Sequence, residues 1–297
     1  MSNISVVVYG LLGGILVSAA AVLPVLGFAF YLLYIVLAGY ITYRKTVLHT
    51  LGTVLIAGSL PGLLAFDWFP LVVVLTFGLT GAVYGLCFKN ALAPGTTLAA
   101  GIVATGVLWG LNFWVTAMIT GDDPLEMAAV PPEMEGFPAE WQQAVEAMAV
   151  LYPASVAISA FCTALIAFFA IQWVLTRQKI YQGPSLDFSE WRMPWGGIWI
   201  LIIGLVLLLA GDQWLPRAAA DAGKNILFAG GFVFTVSGLA LFVFLYRRLQ
   251  VSKFWRLMTV IFIIFYWPII VTAMMLAGIV DAVYDFRTRI RKKGDKA

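Results

Sequence analysis

Few residues in this chain could do chemistry, and their spacing narrows what that chemistry can be. Asn112 lies between Trp109 and Trp114 inside a long apolar run, where a side-chain amide away from water demands a partner. Two readings stay open: a hydrogen bond to a neighbouring helix, or a small apolar or aromatic ligand held between helices by the amide and the two indoles. Asp281, Asp285 and Arg287 follow at spacings of four and two near the end of the last apolar run. That spacing predicts an i,i+4 acidic face paired with Arg289 at the headgroups, serving as a cytoplasmic anchor or as an epitope for a cytosolic partner. Gly10, Gly14 and Ser18 recur at four-residue steps and form a smooth stripe that another helix can approach closely. Gly81 with Gly85, and Gly106 with Gly110, repeat the spacing. Such stripes pack within a chain or dock a separate subunit.

The remaining candidates point away from catalysis. Gly223-Lys224 is followed by Asn225 and lacks the upstream Gly of a phosphate-binding loop. A single histidine, His49, excludes a His-Glu-x-x-His zinc site, and it sits beside Arg44 and Lys45 as an interfacial residue would. No Gly-x-Ser-x-Gly elbow occurs. Cys87 and Cys162 both fall in apolar runs and read as small buried hydrophobes rather than a redox pair. The expectation is a chain that is not an enzyme, with no metal or cofactor and no nucleic-acid partner.

The elements that position these residues follow from composition. Of 297 residues, 62% are hydrophobic and 11% charged, and the mean hydropathy is +0.95. Soluble domains carry about 25% charge, so the expected class is an all-α, polytopic transmembrane helix bundle in contact with the lipid bilayer. A bilayer core takes roughly 20 apolar residues per helix. Runs of that kind cover 4–23, 25–43, 47–66, 69–88, 96–119, 151–176, 195–210 and 226–246, and a long one covers 254–283. Pro24 splits the first two into a tight hairpin. Asp67-Trp68, Tyr84 and Asp212-Gln213-Trp214 read as interfacial belt residues.

Basic residues set the orientation. Arg44, Lys45, Lys89, Arg177, Lys179, Arg192, Arg247, Arg248, Lys253 and Arg256 follow the even-numbered runs, while only Arg217 and Lys224 follow the odd-numbered ones. The positive-inside rule then predicts a cytoplasmic N-terminus. No basic residue precedes the first run, which argues against a cleaved signal. The long last run conflicts with the rule if it crosses once, because Arg287, Arg289, Arg291, Lys292, Lys293 and Lys296 would then emerge outside. Pro268 resolves the conflict by breaking the run into a kinked or re-entrant hairpin. The outward segment 121–150 carries Asp122-Asp123-Pro124, and Pro138 opens a stretch with Trp141, Val145, Met148 and Tyr152 at helical spacing. This amphipathic helix lies on the surface or folds as a lid.

Three stretches carry a resemblance: Trp191-Arg192-Met193-Pro194; Asn225-Ile226-Leu227 with Ser237-Gly238-Leu239; and Gly278-Ile279-Val280-Asp281 leading to Asp285-Phe286-Arg287. They resemble the YybS-like family of bacterial integral membrane proteins, which is grouped with substrate-capturing S-components of energy-coupling-factor transporters. That resemblance implies a six-span core over 1–176, with a coupling subunit docked on Gly10, Gly14 and Ser18. A C-terminal membrane unit over 177–297, about two spans and the kinked segment, would be an addition to it. Two functions compete at this point. One is the ligand-binding subunit of a vitamin or small-metabolite transporter, with Trp109, Asn112 and Trp114 at its ligand. The other is a membrane scaffold that holds partner proteins through small-residue helix faces and transports nothing.

Overall fold

The computed structural model describes residues 4–65, 69–121, 138–211, 214–248, 252, 258–259, 261–262 and 265–294. Among them every regular element is helical, and seven helices are long and apolar enough to cross a membrane. Apolar side chains on all sides of a segment leave the backbone no water to bond, so each run closes its own i→i−4 ladder. Helix α1 covers Ile4–Val22, α2 Pro24–Arg44, α3 Val47–Ala65, α4 Phe69–Lys89 and α5 Pro94–Thr120. Helix α6 covers Ala139–Val150, α7 Tyr152–Arg177, α8 Ile198–Gly211, α9 Arg217–Arg248, α10 Trp267–Tyr284 and α11 Phe286–Gly294. Proline marks the starts, where its missing N–H costs nothing: Pro24 and Pro94 open α2 and α5, and Pro268 lies in the first turn of α10. Gly121, at φ 75°, ends α5 in the left-handed conformation with its N–H on the Ala117 carbonyl. Asp67-Trp68, Asp122-Asp123-Pro124, Asp212-Gln213, Lys253 and Arg256 lie outside the described residues.

The chain divides into two compact units, one of Met1–Met127 with Ser159–Ser185, the other of Ala128–Ile158 with Leu186–Ala297. In the first, α2 packs on α4 and α1 on α3, around a core of Val17, Tyr34, Val54, Ala57 and Val74. Gly81 and Gly85 let α4 press onto the α2 backbone, since a Cβ there would lie 2.3 Å from the Ile35 carbonyl oxygen and 2.5 Å from that of Gly39. Most buried polar side chains of this bundle are threonines; Tyr84, expected at the interface, is instead fully buried and donates to the Ala164 carbonyl at 2.8 Å. Thr42, Thr76, Thr80 and Thr105 each donate to the carbonyl four residues back, and Thr42 also meets Thr50 at 2.7 Å. Hydroxyls bound to their own helix add no net polarity to the interior.

In the second unit α9 is the central helix, flanked by α8 and α10. The short 3-10 turns Phe188–Glu190 and Trp195–Gly197 precede α8, and the former lies against α9. Helices α9 and α10 cross in near-contact at Gly238 and Gly278. A Cβ on Gly238 would stand 1.8 Å from the Met274 carbonyl oxygen, and one on Gly278 would stand 2.1 Å from that of Phe234. The expected break at Pro268 is present, with α10 starting afresh after Tyr266 (φ −117°, ψ 27°). Arg247, at the end of α9, reaches the Ser189 hydroxyl, and Arg287, just past α10, reaches the Ser189 carbonyl. The chain therefore leaves α9 and comes back to the same end of this unit before its basic tail begins.

Candidate functional site: a buried arginine at the end of the last apolar helix

Asp285 sets the geometry of this site. It takes up φ 48°, ψ 59°, ending α10 with its own N–H on the Asp281 carbonyl at 3.0 Å. Its carboxylate then accepts from the Thr288 N–H and, at 2.9 Å, from the Thr288 hydroxyl, capping α11. One aspartate thus stops a helix and starts the next. The continuous acidic face expected across Asp281 and Asp285 does not form, because the left-handed residue turns the axis between the two helices. The partners change accordingly: Arg192 holds Asp285 at 2.6 Å, and Arg289 lies over the Tyr284 ring instead of pairing with the acids.

The same turn drives Arg287 inward. It is 3% exposed and Asp281 is fully buried. Nη1 of Arg287 donates to the carbonyls of Ser189 at 2.7 Å and Trp191 at 2.8 Å, and Nη2 donates to that of Ser237 at 3.4 Å. Its Nε stands 3.3 Å from Asp281 Oδ2, an ion pair rather than an aligned hydrogen bond, while Asp281 Oδ1 accepts from the Phe286 N–H at 3.2 Å. The Phe244 ring lies 6.0 Å from the guanidinium. A charge this deep is tolerable only when paired and hydrogen-bonded, and the planar fork of arginine suits several carbonyls at once.

An outer layer closes over it. Asp187 Oδ1 accepts from the backbone and hydroxyl of Ser189, and Asp187 Oδ2 meets Arg247 at 2.5 Å. Ser237 Oγ accepts from the Met193 N–H at 3.2 Å. Both surface carboxyls sit below the ordinary aspartate value. At Asp187 the upward push of desolvation is outweighed by the Ser189 N–H and by Arg247, and at Asp285 it is outweighed by Arg192 and Thr288. The guanidinium donors converge on backbone carbonyls, so the arrangement locks three segments together and offers no nucleophile beside a base. Among the described residues, no group of three or more His, Cys, Asp or Glu could hold a metal ion.

Three of the motif stretches meet here: Trp191 to Pro194, Ser237 to Leu239, and Gly278 to Arg287. Asp187, Ser189, Phe244 and Arg247 join them, and no spacing in the sequence singled these out. The Asp-x-Ser turn at 187–189 was the available signal, since such a pair closes on its own backbone.

A single family model spans nearly the whole chain, matching residues 12–131 and 133–282. The chain belongs to the DUF2232 family of predicted membrane proteins. Both halves of the match fall on this membrane-embedded architecture; the second covers Ser189, Trp191, Ser237 and Asp281, the partners of the lock, and ends before Asp285 and Arg287. No curated protein matches the chain, and no solved structure does.

Elsewhere in this DUF2232 member the sequence-derived candidates separate. Asn112 donates to the Thr76 hydroxyl on α4 at 3.0 Å and takes a long contact from Thr116. Trp109 turns its edge to Phe77 at 6.1 Å, and its buried Nε1 has no hydrogen-bond partner among the described residues. Trp114 is 56% exposed, because two residues along a helix face away from each other. The three do not enclose one site. The first-helix stripe is covered from within the chain: a Cβ on Gly10 would meet Ile56 at 2.6 Å, and one on Gly14 would meet Leu60 at 2.9 Å, both on α3. Ser18 Oγ is buried on the same helix. A separate coupling subunit would have to displace α3 to use this face. Gly106 and Gly110 on α5 differ, with no atom within 4 Å of where a Cβ would stand.

Proposed function

We propose that this chain is a non-catalytic scaffold of the bacterial inner membrane, with its N-terminus cytoplasmic, and that it holds a transmembrane helix of a partner protein along α5. One observation carries the reading. Of the three small-residue pairs, those on α1 and α4 are filled by the chain's own helices, and only the α5 pair stands open. Val103, Val107, Leu111 and Trp114 flank it, all more than half exposed, and form ridges between which a second helix fits closely. The transporter-subunit reading has less support, because the Asn112 amide already bonds Thr76 and the α1 stripe is covered by α3. The basic loops and basic tail support the orientation.

The test is a photoreactive side chain introduced at Val107 in the native membrane, with Leu209 on α8 as the control position. The expected product is a discrete protein adduct from Val107, absent from Leu209 and lost in the Gly110→Leu background. Lipid adducts alone at Val107, or equal adducts from both positions, would refute the proposal.

A further inference from the structure

The only two basic residues that break the charge layout, Arg217 and Lys224, line one cavity. It has a volume of about 670 Å3 and is walled by Val150, Leu151, Leu208, Leu227 and Phe228, entirely within the second unit. Arg217 and Lys224 stand seven residues apart on α9, two turns along one face. Arg217 is exposed and has no hydrogen bond or ion pair among the described residues. Lys224 pairs with Asp221 at 2.8 Å, but its side chain is 44% exposed and that of Asp221 is 32% exposed, so an incoming anion can compete for it. Among the described residues, two cations face this cavity against the one carboxylate of Asp221, beside an apolar wall.

The wall is held in place. Asn225, the residue after Lys224, accepts from the Ala154 N–H through Oδ1 at 2.8 Å and donates from Nδ2 to the Val150 carbonyl at 2.7 Å and the Asp221 carbonyl at 2.9 Å. These bonds use the backbone groups left open where α6 ends and α7 begins, and they fasten that corner to α9. The walls on both sides are therefore positioned before any ligand arrives, and the volume is in the range of small-ligand sites.

We infer that this cavity binds a phosphate anion carried on an apolar chain, the headgroup of an anionic glycerophospholipid, with Arg217 and Lys224 on the phosphate and the chain along Leu208, Leu227 and Phe228. Guanidinium and ammonium groups together match phosphate oxygens, and the apolar wall selects an anion that brings hydrocarbon with it. The assignment does not depend on the α5 partner reading, since the two sites share no residue.

The test uses the full-length chain, delipidated in mild detergent, with native mass spectrometry and melting as readouts. Phosphatidylglycerol, phosphatidylcholine and glycerol 3-phosphate are titrated separately. Phosphatidylglycerol is expected to bind at least tenfold more tightly than phosphatidylcholine. The exposed double variant R217Q/K224Q is expected to lose that preference while melting as the wild type does, and R217K is expected to keep it. Glycerol 3-phosphate is expected not to compete, and competition at equal concentration would reassign the site to a free phosphate and overturn the lipid source. Equal binding of the two lipids by the wild type, or an unchanged preference in R217Q/K224Q, would overturn the site itself.

Discussion

Arg287→Met isolates the contribution of the buried arginine. The replacement fills most of the volume of the guanidinium stem but removes the donors to the Ser189, Trp191 and Ser237 carbonyls, and it strands the Asp281 carboxylate with the Phe286 N–H alone. Breaking a buried ion pair from one side costs about 3–5 kcal/mol, because the remaining charge stays desolvated. At about 1.4 kcal/mol per factor of ten, the folded-to-unfolded ratio of the second unit falls by roughly a hundred-fold to several thousand-fold. Reversible denaturation in mild detergent, followed by tryptophan fluorescence, reads this directly. D281N/R287M removes the stranded charge as well and is expected to recover at least about 1 kcal/mol of the loss. Lys at 287 delivers the charge without the planar fork and is expected to fall between the wild type and the methionine variant. A loss below about 1 kcal/mol in R287M would refute the lock, as would a double variant no more stable than R287M.

Gly238→Ala should destabilise by about 1–3 kcal/mol or more in the same assay, since its Cβ would collide with the Met274 backbone, whereas Gly106→Ala should change stability by less than about 0.5 kcal/mol. Asp187 and Asp285 have folded-state values depressed below 3.8, so their stabilisation is complete above that pH and is lost as the pH drops through the lower folded values. Melting should thus be level from pH 8 to 5 and decline below about 4, and Arg247→Gln should reduce the decline. Both ion pairs are more than a third exposed, which holds the effect to about 1 kcal/mol or less. Asn112→Ala should cost about 1 kcal/mol through the lost bond to Thr76, measured in the same way.

The helices were legible because their signal is local. Length of apolar run, Pro24, Pro94 and Pro268 at helix starts, and basic residues at alternate ends all act within a few residues of where they stand in the chain. Pro268 shows how far this reaches: it located the break before α10, and charge counting indicated a return of the tail that Arg247 and Arg287, both on Ser189, make geometric. Asp281 and Asp285 show where it stops. Their four-residue spacing implies one face only if the helix continues, and the left-handed turn at Asp285 depends on Thr288, Arg192 and the fit of Arg287 below.

By itself, the sequence determined the solvent, the helical class, the approximate spans and the sorting of basic residues, since lipid imposes these on each segment separately. Tertiary structure decided which small-residue stripe is covered and which stands open. It also decided which partner each buried polar group takes, and that Arg217 and Lys224 share a cavity with a corner fastened by Asn225. Those outcomes depend on distances between segments far apart in the chain, such as Arg287 and Ser189, with a separation of 98. The periodicity of one helix carries no information about the side chains of the next.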